Sequence, residues 1–383
     1  MKPAARVQSA IELLDEIIVA TREKGGSADR VAAAFFAARR YAGSKDRRAI
    51  RDLAWRAIRA FGERPENGRA AMVALAGYDP DLAALFDGSA YGPKAIDPSE
   101  PKASGDIVPE WVKPLFSELV TGDEFPALLE RAPLDIRVNR LVACPEQVQA
   151  QFPEAQQLEG CTDGLRLPTG FSIEAEPVYQ SGAVEVQDFG SQLIAELCEA
   201  KPGMTVLDLC AGAGGKTLAL ASHMAGEGRL IAADTSRDRL AQLPPRAVRA
   251  KAEFIETRLL NPGKELATLD DLSEACDIVL IDAPCSGSGT WRRNPETRWR
   301  LEQRDMQRLV TEQARLLDIA AQLVKPGGRL VYAVCSLFAC EGRDQADGFL
   351  ARAKGFEPDF GSVRAGRRDG AGKQEPQCAR VEG

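Results

Sequence analysis

The sequence predicts a multidomain protein whose largest part is an α/β fold built on a Rossmann-like parallel sheet. Three observations indicate this fold. Residues 206–220 read as a strand, a tight glycine turn and the start of a helix. Residues 230–234 read as a second apolar strand that ends in an acid, and 278–281 and 329–334 are aliphatic runs typical of buried parallel strands. With 383 residues, the chain is long enough for two or three domains.

The N-terminal segment, residues 1–77, is predicted to be helical. Ile11, Leu14 and Ile18 recur at helical spacing, and a later helix that begins near residue 44 has its own apolar stripe. Arg47 and Arg48 lie mostly on other faces of that later helix, where arginines either contact an RNA backbone or form a solvated surface.

Pro, Gly, Asp and Ser are frequent in residues 78–105, which are therefore predicted to be a linker. Residues 106–182 include an alternating strand at 134–139 and are predicted to be a small α/β module. The Rossmann-like domain then covers 183–361. Residues 362–383 contain no apolar run, so we expect a disordered tail and an incompletely covered sheet edge.

The glycine turn is the first candidate binding site, because glycine lets the backbone approach a ligand and a helix start offers free N–H groups. A P-loop would need glycine at Cys210, and the dinucleotide fingerprint would need glycine at Thr217. Asp234, at the end of the second strand, suits a ribose with two free hydroxyls. Turn and acid together predict a nucleoside without phosphates, with S-adenosylmethionine as the candidate. The alternative is a βα turn that binds nothing.

Two cysteines follow strands of the same predicted sheet. Cys285 follows Asp282-Ala283-Pro284 at the end of one strand, and Cys335 follows the end of the next. The carboxyl ends of parallel strands line the ligand crevice, so both thiols are predicted to face the glycine turn. For each cysteine alone, the alternative is a small buried apolar residue.

Composition excludes several classes of protein. No apolar stretch has the length of a membrane span and the start lacks the plan of a signal peptide, so we expect a cytoplasmic protein without a membrane partner. Nine cysteines without a C-x-x-C pair and a single histidine indicate no metal site. Net charge is −7, yet residues 1–60 carry 13 Lys and Arg against 7 Asp and Glu, which suits local contact with RNA. We expect a monomer.

Three motifs resemble those of the Nol/Nop/Sun family of RNA cytosine-5 methyltransferases. They are V-L-D-L-C-A-G-A-G-G-K-T, D-A-P-C-S-G-S-G-T-W-R-R-N-P-E-T-R-W and V-C-S-L-F-A-C-E. The resemblance covers roughly residues 106–357 and implies a class I methyltransferase core that uses S-adenosylmethionine. Residues 43–59 resemble the helical RNA-binding domain related to NusB. Together these features resemble the bacterial Fmu/RsmB subgroup, which acts on small-subunit (16S) ribosomal RNA.

The resemblance implies a role for each candidate residue. Cys335 would attack carbon 6 of cytosine, Cys285 would assist release, Asp282 would hydrogen-bond or protonate nitrogen 3, and Lys216 would favour the Cys335 thiolate. The implied cofactor residues are Cys210, Ala211, Gly212, Ala213, Gly214, Gly215, Lys216, Asp234 and Asp282. The predicted RNA contacts are Arg292, Arg293, Arg298 and Arg300, near the possible base-stacking residues Trp291 and Trp299, with Arg47 and Arg48 as further contacts. The alternative for the four later arginines is exposed loop charges over a structural tryptophan.

The chain departs from the family pattern in two places. An Asp is usual near the end of the third strand, and Glu256 is the candidate substitute. The C-terminal tail lacks the usual apolar strand. Two other functions therefore stay open: a P-loop-type NTPase, since 278–282 also resembles a Walker B strand, and a non-catalytic RNA-binding ribosome assembly factor.

Overall fold

The computed structural model describes residues 1–23, 25–168, 170–359 and, for the backbone, 377–381. Contacts divide the chain into two compact units. The first contains residues 1–131 and 287–306, and the second contains 132–286 and the described residues from 307 onward. None of the described helices is both long and apolar enough to cross a membrane.

The first unit is helical, as the sequence predicts for its N-terminal part. Its α-helices are α1 (Pro3–Arg22), α2 (Ala28–Ala38), α3 (Ser44–Ala60), α4 (Gly68–Ala76) and α5 (Pro80–Ala83). Leu13, Leu14 and Ile17 of α1 are fully buried in one apolar core. The apolar spacing thus identified the inner face of α1, while the likeness to NusB stays a prediction.

The segment predicted to be a linker, residues 78–105, is packed into the first unit. Phe86 is buried in the helical core, and Arg69 forms an ion pair with Glu100 at 2.6 Å between Nε and Oε2. The boundary between the two units falls after Arg131 rather than at 105. The frequent Pro and Gly residues correctly indicated an irregular backbone. They did not show that side chains anchor this segment to the first unit.

Residues 287–306 also belong to the first unit. Within them, Arg298 is only 1% exposed, and its guanidinium donates hydrogen bonds to the backbone carbonyls of Ile58, Phe61 and Ile107. The prediction that Arg298 contacts RNA is therefore wrong, because main-chain acceptors inside the unit occupy its donors.

The two tryptophans that were candidates for base stacking are buried as well. The Trp299 indole donates from Nε1 to the carbonyl of Phe61 at 2.9 Å. The Trp291 ring packs edge-on against Phe116, with ring centroids 5.9 Å apart. Neither ring is exposed for stacking on a base.

Substituting Arg298→Ala should loosen the first unit. The change leaves the buried carbonyls that Arg298 binds without their donor, which should lower the free energy of unfolding by about 3 kcal/mol. We expect faster amide hydrogen exchange in α3, which carries Ile58. Arg300→Ala is the control, because that half-buried arginine donates, among the described residues, to the carbonyls of Gly25 and Gly26 rather than to the core around α3. Equal exchange in α3 for both variants would show that Arg298 does not organise this core.

The second unit begins with a small antiparallel sheet of order β2-β3-β1-β4. Its elements are β1 (Leu134–Val138), α6 (Pro145–Gln151), β2 (Gln156–Gln157), β3 (Gly164–Leu167), α7 (Pro177–Gln180) and β4 (Val184–Val186). Ile136 and Leu165 face each other in register and are buried. The alternating pattern of the sequence predicted this sheet.

A seven-stranded sheet forms the rest of the second unit, in the order β10-β11-β9-β8-β5-β6-β7. Strands β9, β8, β5, β6 and β7 are mutually parallel, which agrees with the predicted Rossmann-like core. The strands are β5 (Thr205–Asp208), β6 (Arg229–Asp234), β7 (Glu256–Leu259), β8 (Cys276–Asp282), β9 (Val324–Ala333), β10 (Phe356–Pro358) and β11 (Gln377–Val381). The helices are α8 (Phe189–Cys198), α9 (Gly215–His223), α10 (Arg237–Leu240), α11 (Leu243–Arg249), α12 (Glu265–Thr268), α13 (Gln303–Ala321) and α14 (Arg343–Arg352).

Strand β11 lies within residues 362–383 and corrects the prediction of a disordered tail and an incompletely covered sheet edge. It pairs antiparallel with β9 on one side and with β10 on the other, so the edge of β9 is covered. Strand pairing uses main-chain N–H and C=O groups, and an open edge can therefore recruit a segment that has no apolar run. The rest of the predicted tail, residues 362–376 and 382–383, lies outside the described residues.

Candidate active site

The candidate site lies at the carboxyl ends of the parallel strands. β5 pairs with β6 on one side and with β8 on the other, so the chain reverses its direction of winding at β5. In open α/β sheets the crevice at such a point binds the ligand. The glycine turn follows β5, Asp234 ends β6, and Asp282 ends β8.

The glycine turn has a backbone that only glycine adopts without strain. Gly212 has φ 55° and Gly214 has φ 82°, both in the left-handed region. A Cβ on Gly212 would collide with the guanidinium of Arg239, and one on Gly214 would collide with Leu243. The turn therefore leaves a cradle of main-chain atoms at the start of α9.

The turn is in direct contact with the acid predicted to bind the same nucleoside. The Gly212 amide donates to Oδ2 of Asp234 at 2.7 Å, and the Ser236 amide donates to Oδ1 at 2.6 Å. Ala211 donates from its amide to the carbonyl of Ala233 at 2.9 Å. These bonds fix Asp234 beside the turn, as a shared ribose site requires.

The other residues of the turn stabilise its conformation and are not candidate reactive groups. The carbonyl of Ala213 accepts a hydrogen bond from Nη1 of Arg246 at 2.6 Å, and the carbonyl of Gly215 accepts one from Gln187 at 3.3 Å. Burial raises the pKa of the Cys210 thiol well above its usual value, so Cys210 stays protonated.

The two cysteines predicted to share a crevice are adjacent. Cys285 and Cys335 lie 3.2 Å apart between their Sγ atoms. β8 and β9 are parallel neighbours, and Asp282 pairs with Ala333 in register, so the two segments leave the sheet side by side. The sequence pattern predicted this pairing from strand order alone.

The environment of Cys335 favours its thiolate. The hydrogen bond with Cys285 lowers the pKa of Cys335, and the charge of Lys216 acts in the same direction against burial and Asp282. A lowered pKa increases the nucleophilic fraction of a thiol at neutral pH. The lowered pKa agrees with the nucleophile role predicted for Cys335, which stays a prediction.

A lysine and an aspartate lie next to the cysteine pair. Lys216 Nζ lies 2.6 Å from Oδ2 of Asp282 and donates to Oγ of Ser191 at 3.3 Å. Although burial opposes it, the Asp282 carboxylate raises the pKa of Lys216. Lys216 thus remains a cation beside Cys335, as the motif predicted.

Sequence reasoning did not select Asp208, the last residue of β5. Asp208 is buried beneath the turn, and its Oδ2 accepts a hydrogen bond from Thr217 Oγ1 at 2.7 Å. Its Oδ1 has no hydrogen-bond partner among the described residues. Burial raises the pKa of Asp208 from 3.8 to about 7. In the sequence, the feature that could have identified Asp208 is an acidic residue in an otherwise apolar strand.

Asp208 should make stability fall as pH rises. Its pKa is higher in the folded than in the unfolded chain, so the protonated acid stabilises the fold below about pH 4, and this contribution is lost towards pH 7. Relative to the natural protein, the free energy of unfolding of Asp208→Asn should therefore rise across that window by up to about 1.4 kcal/mol per pH unit. Thermal unfolding at pH 5 and pH 8 measures this, with the exposed Asp238→Asn as control. A gap between Asp208→Asn and the natural protein that stays constant with pH would refute the assignment.

Glu256 does not substitute for the usual acid at the end of the third strand. It begins β7, pairs in register with Ile231, and forms an ion pair with Arg229 at 2.9 Å. Asp234 lies at the opposite end of the strands, beside Leu259. The positions that follow β7 are Leu260 and Asn261, because Glu256 begins this strand rather than ending it.

The other predicted RNA contacts lie in the first unit. Arg48 is exposed on α3, whereas Arg47 is half-buried and donates from Nε to the carbonyl of Ala42 at 2.7 Å. Arg292 and Arg293 are half-buried, and Arg292 donates from Nη2 to the carbonyl of Arg131 at 3.4 Å. Their role in RNA binding stays a prediction.

Comparison with known proteins finds a family model that matches the site. The family model described as 16S rRNA methyltransferase RsmB/F matches residues 195–379. This part of the chain is similar to the RsmB/F methyltransferases. The match covers the glycine turn and both cysteines, and it favours a methyltransferase over the P-loop NTPase alternative.

Individual relatives agree with the family. The chain is 34% identical over 255 residues to the probable ribosomal RNA small subunit methyltransferase B of Synechocystis sp., covering 63% of this chain and 56% of the relative. It is 32% identical over 255 residues to the ribosomal RNA small subunit methyltransferase B of Enterobacter sp., covering 64% and 58%. The chain thus spans little more than half the length of these relatives.

A solved structure shares the fold along the whole chain. The crystal structure of PH0851 superposes with a TM-score of 0.76 and covers 100% of both chains at 22% identity. At this identity the likeness concerns the fold alone.

Proposed function

We propose that this chain is an S-adenosylmethionine-dependent RNA methyltransferase that modifies carbon 5 of a cytosine in small-subunit ribosomal RNA. The observation that carries the proposal is the pair of sulfurs 3.2 Å apart, beside the Lys216–Asp282 ion pair and within the residues that the RsmB/F family model matches. The names of the matched relatives support ribosomal RNA as the substrate class.

The residues at the crevice fit the proposed cofactor. Gly212 and Gly214 keep left-handed backbone angles in which a Cβ would be strained, and Asp234, the candidate ribose acceptor, is fixed beside them by the Gly212 amide. When bound, S-adenosylmethionine supplies an electrophilic methyl group. Residues 210–216, with Asp234 and Asp282, would hold it.

Two thiols explain how an unreactive carbon accepts that methyl. Carbon 5 of cytosine is a poor nucleophile, and addition of the Cys335 thiolate to carbon 6 makes it electron-rich. One oxygen of Asp282 accepts a hydrogen bond from Lys216, and the other, once it carries a proton, can donate that proton to nitrogen 3 of the ring as negative charge builds up there during attack. After methylation Cys285 takes the proton of carbon 5, the carbon 5–carbon 6 double bond reforms, and Cys335 leaves.

Methyl transfer to isolated ribosomal RNA tests this function. Small-subunit RNA from cells that lack the gene is incubated with the protein and methyl-labelled S-adenosylmethionine, then treated with bisulfite and sequenced. We expect one cytosine to become labelled and resistant to bisulfite. RNA that binds without gaining label would instead indicate a non-catalytic assembly factor, although β11 removes the truncated sheet that suggested that role. Label on any atom other than carbon 5 would also contradict the proposal.

A further inference from the structure

One buried carboxylate contacts both segments that carry the cysteines. Glu341 is 0% exposed and lies shortly before α14. Its Oε1 accepts from the Ser286 amide at 2.8 Å and from Gln313 Nε2 at 3.0 Å. Its Oε2 accepts from the hydroxyls of Ser286 and Ser336, each at 2.5 Å.

The two serines directly follow the two cysteines. Ser286 follows Cys285 and Ser336 follows Cys335, and the two hydroxyls are themselves 3.0 Å apart. A single carboxylate thus ties together two segments that leave different strands. The distance between the sulfurs depends on this tie, because each cysteine is one residue from a serine that Glu341 binds.

The carboxylate is itself fixed from several sides. Gln313, from α13, is fully buried and also donates to the carbonyl of Pro284 at 2.9 Å. The Tyr332 hydroxyl, from β9, donates to the carbonyl of Glu341 at 2.6 Å. Four donors on one buried carboxylate compensate for its desolvation, and charge-assisted hydrogen bonds hold geometry more tightly than neutral ones.

We propose that Glu341 is a positioning residue that sets the spacing of the two thiols for the release step. The inference rests on the proposed function. Cys335 alone forms the bond to carbon 6, with Cys285 as its hydrogen-bond donor, whereas release needs Cys285 at carbon 5 while Cys335 is still bonded to carbon 6. Once Cys335 has added, Cys285 loses its own proton to solvent, and its thiolate then accepts the carbon 5 proton. The C–H electron pair forms the double bond, and the C–S bond breaks to return the Cys335 thiolate. A loosened pair therefore slows release more than attack.

Glu341→Gln removes the charge and one acceptor site while keeping the shape of the side chain. We expect the covalent protein–RNA fraction during turnover to rise at least about tenfold and kcat to fall, with KM for RNA unchanged. Ser336→Ala leaves Glu341 with three of its four donors, so the adduct fraction and kcat should change less than in Glu341→Gln. The matched control is Glu265→Gln, because Glu265 is also buried in the second unit but binds Arg315 at 2.8 Å, away from the cysteines.

A second measurement needs no RNA. The rate at which diamide links Cys285 to Cys335 depends on the sulfur spacing and on the thiolate fraction of Cys335. The Glu341 carboxylate raises the pKa of Cys335, so loss of its charge alone would increase the rate. We expect the wider spacing to lower the rate in Glu341→Gln but not in Glu265→Gln. Equal diamide rates and equal adduct fractions in these two variants would overturn the proposal. A slower diamide rate without a higher adduct fraction would overturn the release role, provided Cys285→Ala still accumulates adduct. If diamide reacts more slowly with Glu341→Gln but no variant forms an adduct, Cys285→Ala included, then Glu341 does hold the two cysteines together and the proposed covalent chemistry is wrong.

Discussion

Cys335→Ala is expected to lower methyl transfer by about 10⁴-fold or more, because the variant has no nucleophile to add to carbon 6 of cytosine. Without that addition carbon 5 stays too electron-poor to accept a methyl group. The fold should persist, since alanine and cysteine differ by one sulfur atom at a site that opens to the crevice. Binding of S-adenosylmethionine, measured by calorimetry, should change little.

Initial rates of label transfer to small-subunit RNA check this expectation. Cys161→Ala is the control for loss of a cysteine, because burial raises the pKa of Cys161 to about 12 and keeps that thiol protonated. The control should retain the natural rate. Turnover of Cys335→Ala within a factor of about ten of the natural rate would mean that the nucleophile is another group.

Cys285→Ala is expected to accumulate a covalent complex of protein and methylated RNA. Attack by Cys335 survives in this variant, but no thiol lies 3.2 Å away to take the carbon 5 proton. The intermediate then decays slowly, and a shifted band should persist on a denaturing gel. The double variant Cys285→Ala/Cys335→Ala should give no such band. Absence of the band in Cys285→Ala, with RNA that the natural protein methylates, would remove the release role from Cys285.

Local sequence patterns predicted the catalytic half of the molecule well, for a physical reason. Strand-forming runs that alternate with helices give a parallel sheet, and the carboxyl ends of its strands converge on one edge. The glycine turn, Asp234 and the two cysteines each end or follow such a strand, so their proximity could be derived from strand order. The Lys216–Asp282 ion pair follows from the same convergence.

Two of the wrong predictions depended on contacts between distant segments, and a third on the bounds of one short strand. Arg298 has the composition of a nucleic-acid contact, yet its donors bind carbonyls more than 190 residues earlier in the sequence. β11 forms because β9 offers an open edge, which the residues of β11 do not themselves show. Glu256 was placed at the wrong end of its strand because short strands have uncertain starts.

Two further acids escaped the sequence analysis because their importance lies in their surroundings. Asp208 stands out only once its burial and its single hydrogen-bond donor, Thr217, are known. Glu341 lies five residues after Ser336 in a turn, and no spacing rule shows that both serines converge on its carboxylate. Such residues can be found only from coordinates.

Mapping the covalent bond by mass spectrometry tests the central claim most directly. Cys285→Ala is incubated with S-adenosylmethionine and small-subunit RNA, the RNA is digested, and the protein is cleaved into peptides. The account predicts a single peptide, containing Cys335, that carries a 5-methylcytosine nucleotide. A nucleotide on any other residue, or an unmodified Cys335 peptide from protein that has bound both ligands, would contradict it.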